Sequence, residues 1–158
     1  DKGLMNGVGN YRFAPNENLT RAQIAQILYA QAGSPEVSGE MAFKDVTADK
    51  WYYKAVLWAS QNGITGGYED GTFRPNSNIT REQLARMLYA HAGTPAVSGD
   101  LSGFADGNQV SGWAKDAVIW ATSNHIINGV KINNVLHISP KGNATRAEAA
   151  TMMKNYLG

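Results

Sequence analysis

Apolar residues recur at helical spacing in three stretches, and each stretch opens in the same way. Ile24, Ile27 and Leu28 form one stripe, Leu84, Met87 and Leu88 a second, and Ala149, Met152 and Met153 a third. Directly ahead of them stand Leu19-Thr20-Arg21-Ala22-Gln23, Ile79-Thr80-Arg81-Glu82-Gln83 and Ala144-Thr145-Arg146-Ala147-Glu148. In each pentad a Thr lies three residues before a Gln or Glu. That is a capping box: the hydroxyl accepts the third backbone N–H, and the longer side chain reaches back to the cap. Gly33, Gly93 and Gly158 fall where a helix C-cap is expected. The pattern predicts three capped amphipathic helices.

A second periodicity is led by tryptophan. Trp51, Ala55, Val56 and Ala59 share one helical face, closed by Gly63, and Trp113, Ala117, Val118 and Ala121 repeat it. Trp58 and Trp120 recur seven residues later and read as packing residues. Gly66-Gly67-Tyr68-Glu69-Asp70-Gly71 is a loop with positions that favour positive φ. Phe13 and Phe73 read as anchors pinning such loops to the core. Ser34 to Gly39 and Thr94 to Gly99 are linkers. Val135 to Ile138 is extended enough to pair briefly, but no sheet is predicted.

These segments make one unit, repeated. The pentads lie 60 and then 65 residues apart. Phe43-Lys44-Asp45 returns as Phe104-Ala105-Asp106, and the segment from Trp51 returns from Trp113. Asp1 to Asn16 superimposes on Gln61 to Asn76 without a gap. The third copy carries five extra residues between Gly129 and Pro140, and the first lacks the Phe-x-Asp and Trp-led parts. Repetition at this spacing marks a repeat architecture. The predicted fold is all-α, an array of helix–loop–helix repeats, divided as 1–33, 43–93 and 104–158.

Composition narrows the function. With 158 residues and 43% apolar content the chain can bury a core. A net charge of +1 and no long basic run argue against a nucleic-acid surface. No apolar stretch approaches the roughly 18 residues of a membrane span. No signal peptide opens the chain, and Asp1-Lys2-Gly3 aligns with the end of a helix, so the chain reads as a fragment or processed product. Cysteine is absent, which leaves the compartment open.

Three arginines carry the chemistry. Arg21, Arg81 and Arg146 each occupy a first helical turn, where the dipole makes a cation unfavourable by roughly 0.3–1 kcal/mol. An anion held by the guanidinium together with the helix N-terminal amides explains the recurrence. So does an ion pair with Asp45 or Asp106, or stacking on a Trp. Asp45 and Asp106 serve either as loop-organising carboxylates or as acceptors for sugar hydroxyls. Trp51 and Trp113 are either sugar-stacking faces or core wedges. His91, His125 and His137 occupy unrelated repeat positions, and no metal motif or nucleophile elbow is present. Equivalent carboxylates in two copies make a poor asymmetric acid/base pair, so the pattern favours binding over catalysis, with no cofactor.

Phe43-x-Asp45-Val46, Trp51-Tyr52-x-x-Ala55-Val56-x-x-Ala59, Gly63-Ile64-x-Gly66, Asp70-Gly71-x-Phe73-x-Pro75 and Ile79-Thr80-Arg81 together resemble the S-layer homology family. The resemblance implies a secreted bacterial surface protein held non-covalently on the wall by secondary cell-wall polysaccharide, often bearing pyruvate ketals. It implies that the three modules pack as an all-α, pseudo-threefold assembly with ligand grooves between neighbouring modules. Arg21, Arg81 and Arg146 would meet the ketal carboxylate. Trp51, Trp113, Gly66 and Gly67 would line the sugar, and Asp45 and Asp106 would orient the groove. An upstream segment or another chain would complete the first module. The alternative is an assembly module of a surface layer or fibre that has lost glycan binding.

Overall fold

The computed structural model describes residues 16–158, so Leu4, Met5 and the Phe13 anchor lie outside the described residues. Among those described are five helices: α1 (Arg21–Gln31), α2 (Tyr53–Gln61), α3 (Arg81–His91), α4 (Lys115–Ser123) and α5 (Arg146–Leu157). Two 3-10 turns, Gly107–Gln109 and Gly112–Ala114, precede α4. All three capping boxes form, with Thr20, Thr80 and Thr145 as N-caps and Gln23, Gln83 and Glu148 reaching back. Gly33 and Gly93 each adopt φ of 91° just past α1 and α3, a conformation that side chains disfavour.

The Trp-led helices start later than their sequence pattern predicts. Helix α2 begins at Tyr53, and Tyr52 rather than Trp51 enters the core; in the third copy Ala114 takes that place. The predicted stripes are buried: Ile24, Leu28, Leu84, Leu88 and Met153 are fully enclosed, while Ile27 packs at the edge.

Helix pairs form across the copies rather than within them. Helix α2 packs on α1, and α4 packs on α3. Trp58 meets Tyr29 at 5.7 Å between ring centroids, and Trp120 meets Tyr89 at 5.5 Å. Each tyrosine also pins the following linker, Tyr29 donating to the Pro35 carbonyl and Tyr89 to that of Pro95.

The pentads meet at the centre. The Leu19 N–H donates to the Ala144 carbonyl, Ala144 to Ile79, and Ile79 back to Leu19, at 2.8–3.2 Å. All three residues are fully buried. A closed ring of backbone bonds therefore joins the starts of α1, α3 and α5, with bridges Thr20–Asn78, Thr80–Asn143 and Asn18–Thr145 beside it.

Among the described residues, the stretch that carries the five extra residues of the third copy forms a two-stranded sheet, where none was predicted. β1 (Val130–Ile132) pairs antiparallel with β2 (Val135–His137). The turn residues Asn133 and Asn134 have φ of 52° and 64°, the left-handed pair that a tight hairpin turn requires. A two-residue Asn-Asn turn between extended residues was the signal for this hairpin in the sequence.

Candidate functional site

Arg21 and Arg81 each reach across the ring to the loop of the next copy. Arg21, 5% exposed, donates Nε to the Phe73 carbonyl at 2.8 Å and lies 4.8 Å from the centroids of both Tyr68 and Phe73. Burial pushes its guanidinium below the ordinary value, against the pull of the Tyr68 hydroxyl. Arg81 donates Nη1 to the Ser139 carbonyl and Nη2 to Glu148. Gly142 makes room for it, since a Cβ there would collide with Nη1. Arg146 is as buried as Arg21, and burial lowers it while Glu17 pulls it back.

The helix N-terminal amides are not free to hold an anion with these arginines, contrary to the expectation from the pentad. Arg21, Arg81 and Arg146 donate their backbone N–H to the carbonyls of Ser77, Gly142 and Glu17, and Ala22 and Glu82 to those of Pro75 and Pro140. The third amide of each turn belongs to the Thr cap. The neighbouring copy satisfies the donors that an isolated helix would leave to a ligand.

Asp45 and Asp106 organise loops. Asp45 accepts the Phe73 and Arg74 N–H, and Asp106 those of Ile138 and Ser139, all at 2.8 Å. Burial raises the Asp106 pKa, but the backbone bonds outweigh it and hold the carboxyl below its ordinary value.

A groove of about 410 Å³ opens between the first helix, the Gly-rich loop of the second copy, α3 and the 3-10 turn of the third copy. Arg21, Gly66, Gly67 and Trp113 line it. Arg81, Arg146, Trp51, Asp45 and Asp106 do not. Trp113 is 56% exposed, so its indole face is available rather than wedged in the core. Trp51 is exposed too but stands edge-on to Tyr52 elsewhere. Gly67 has φ of 70°, and a Cβ on it would strike the Phe43 ring, so the loop can close only on glycine. Gly66 faces open space.

Three groove-forming residues escape a reading by repeats, because each is peculiar to the second copy. Tyr68 packs under Arg21, stacks against Arg74 at 3.7 Å and accepts from Gln83 Nε2 at 2.9 Å. Glu82, 3% exposed, accepts the Ser111 N–H and hydroxyl at 2.9 and 2.7 Å and so fixes the turn that carries Trp113. Arg86 lines the groove from the second turn of α3. Its counterparts, five residues after each pentad Arg, are Gln26 and Thr151.

A family profile for the S-layer homology domain matches residues 1–25, 42–85 and 103–150. The chain belongs to the S-layer homology domain family. It is 36% identical over 157 residues to a surface-layer 125 kDa protein of Lysinibacillus sphaericus, covering 99% of this chain and 13% of that protein. It is 33% identical to an amylopullulanase of Thermoanaerobacterium thermosulfurigenes over 98% of this chain and 8% of the enzyme. A cellulosome-anchoring protein of Acetivibrio thermocellus is 36% identical over 81 residues, 49% of this chain and 18% of that protein. The chain thus spans a small part of each relative. S-layer homology domains are non-catalytic anchoring modules, which places this chain at the bacterial cell surface in an anchoring role. Among the described residues no group of side chains is arranged to hold a metal ion, and no helix is long and apolar enough to cross a membrane.

Proposed function

We propose that this chain attaches a surface protein non-covalently to the bacterial wall by binding secondary cell-wall polysaccharide that carries an acidic pyruvate ketal. The groove carries the reading. It combines an exposed indole, Trp113, with open backbone at Gly66 and cationic walls at Arg21 and Arg86. An indole suits an apolar sugar face, and the cations suit a carboxylate. Arg81, Arg146, Asp45 and Asp106 act on the ligand through the frame they hold together, and the modules 1–33, 43–93 and 104–158 form a pseudo-threefold assembly. The closed ring through Leu19, Ile79 and Ala144 supports that arrangement.

Sedimentation with purified wall sacculi tests the reading. Binding should disappear when mild acid strips the polymer, and Trp113→Ala should weaken it about threefold to tenfold, the worth of one aromatic stacking contact. Binding that survives stripping would sink the glycan reading. It would favour the second reading, assembly of a surface layer, for which the exposed hairpin residues Val130, Ile132 and Val135 offer an apolar face.

A further inference from the structure

We infer that Asn128-Gly129 is a site of spontaneous deamidation, at which the loop of the third module exchanges a side-chain amide for a carboxylate. Asparagine is thermolabile, most of all before glycine, where no Cβ hinders the next backbone nitrogen from reaching the side-chain carbonyl. The described residues hold two such dipeptides, Asn62-Gly63 and Asn128-Gly129. Hydrogen bonds hold the first. Asn62 donates Nδ2 to the Trp58 carbonyl at 2.8 Å, and Gly63 donates its N–H to the Ser60 carbonyl at 3.2 Å. The second is free to react. Asn128 is exposed, and neither its side chain nor the Gly129 N–H has a protein partner among the described residues.

The repeats explain why that nitrogen is unmet. Gly129 is the counterpart of Gly67: their φ angles are 80° and 70°, and a Cβ on either would strike a phenylalanine ring, Phe104 or Phe43. In the second module the Gly67 N–H donates to Thr65 Oγ1 at 3.3 Å. The third module carries Ile127 in that place, which offers no acceptor, and Asn128 in place of Gly66. The reactive side chain and the unheld nitrogen therefore arrive together. Hydroxide takes the Gly129 amide proton, and the nitrogen attacks Asn128 Cγ. The Cγ–Nδ2 bond breaks, and ammonia leaves with a proton from water, which closes a succinimide. Water then opens that ring at either carbonyl. One opening leaves an aspartate at position 128. The other leaves an isoaspartate, which adds a methylene to the backbone directly before β1, where Gly129 is already tight against Phe104 and the His137 carbonyl.

The test is incubation of the whole folded chain in mildly alkaline buffer made with water labelled in its oxygen, followed by proteolysis and mass spectrometry of the peptides that hold Asn62 and Asn128. Asn128 should take up label about tenfold or more faster than Asn62, where two hydrogen bonds must open first. In urea the two rates should converge, because both sites are then unhindered Asn-Gly pairs. Gly66→Asn places the same pair beside Thr65 in the second module, at a position where a Cβ meets open space. That new site should convert more slowly than Asn128 in the same molecule, with circular dichroism confirming the fold. Asn62 reacting as fast as Asn128 in the folded chain overturns the inference. So does an Asn128 that keeps its amide in the folded chain and loses it in urea. A Gly66→Asn site that reacts as fast as Asn128 overturns the role given to the missing hydroxyl.

Discussion

Arg81 gives a single nitrogen, Nη2, to both carboxylate oxygens of Glu148, each at 2.8 Å, across the boundary between the second and third modules. At the equivalent boundary before it, the capping-box residue is Gln83, which holds Tyr68 instead, and the arginine lies against rings. A carboxylate in place of the amide, together with the loss of Tyr68 from the third copy, exchanges an aromatic clamp for an ion pair. The same Glu148 still caps its own helix by accepting the Thr145 N–H.

The ion pair makes the module boundary sensitive to acid. Burial raises the Glu148 pKa, but hydrogen bonds from Arg81 and Thr145 outweigh it and leave the carboxyl below its ordinary value. The unfolded chain therefore takes up the proton first as pH falls. The contribution is complete above the ordinary value of 4.5 and is lost as pH drops toward the lower folded one. Glu148→Gln preserves the capping box and should cost about 1 kcal/mol at neutral pH. Urea denaturation should show the difference between variant and parent shrinking below that pH; a difference independent of pH would show that the pair contributes nothing.

His91 sets a second, higher window. Its Nδ1 lies 2.7 Å from the Tyr156 hydroxyl, and burial lowers its pKa from 6.5. The native state resists the proton that the unfolded state accepts. Its contribution is whole above 6.5 and declines as pH falls from there toward the folded value. His91→Gln should flatten the stability profile between about pH 5 and 7. A profile with the slope unchanged would assign it to another group.

Glu82 holds Trp113 in place from a distance. Its buried carboxylate receives both donors of Ser111. Glu82→Ala should cost roughly 1.5–3 kcal/mol in urea denaturation, the value of hydrogen bonds to a charged group. Affinity for wall polymer should fall with it, because the turn bearing the indole is released. A destabilised variant that binds with full affinity would show that the turn holds its place unaided.

Leu88 tests the core. It is fully buried on the stripe that the sequence marks. Leu88→Ala should lower the unfolding free energy by about 2–5 kcal/mol. A loss near zero would mean that the face is not packed.

Much of this was written locally in the chain. The capping boxes, the C-terminal glycines and the apolar stripes depend on residues within a turn or two of one another, so sequence alone determined that α1, α3 and α5 exist and where they begin. The Phe-x-Asp motif and the repeat spacing marked the loops in the same way, and the family profile answers to those motifs. Tertiary structure decided the destinations. The pentad arginines looked like ligand residues because an isolated first turn has spare amides; the neighbouring copy fills those amides with its own carbonyls, and no local pattern reveals that. Partnership of α2 with α1 rather than α3 likewise follows from burial across a linker, not from spacing. The groove itself joins parts of three copies, and Tyr68, Glu82 and Arg86 matter there because they differ from their counterparts. Comparing repeats brings out what the copies share. The unpaired Nη1 of Arg86 is a property of one interface, fixed only when the chain has packed and shielded that nitrogen from water.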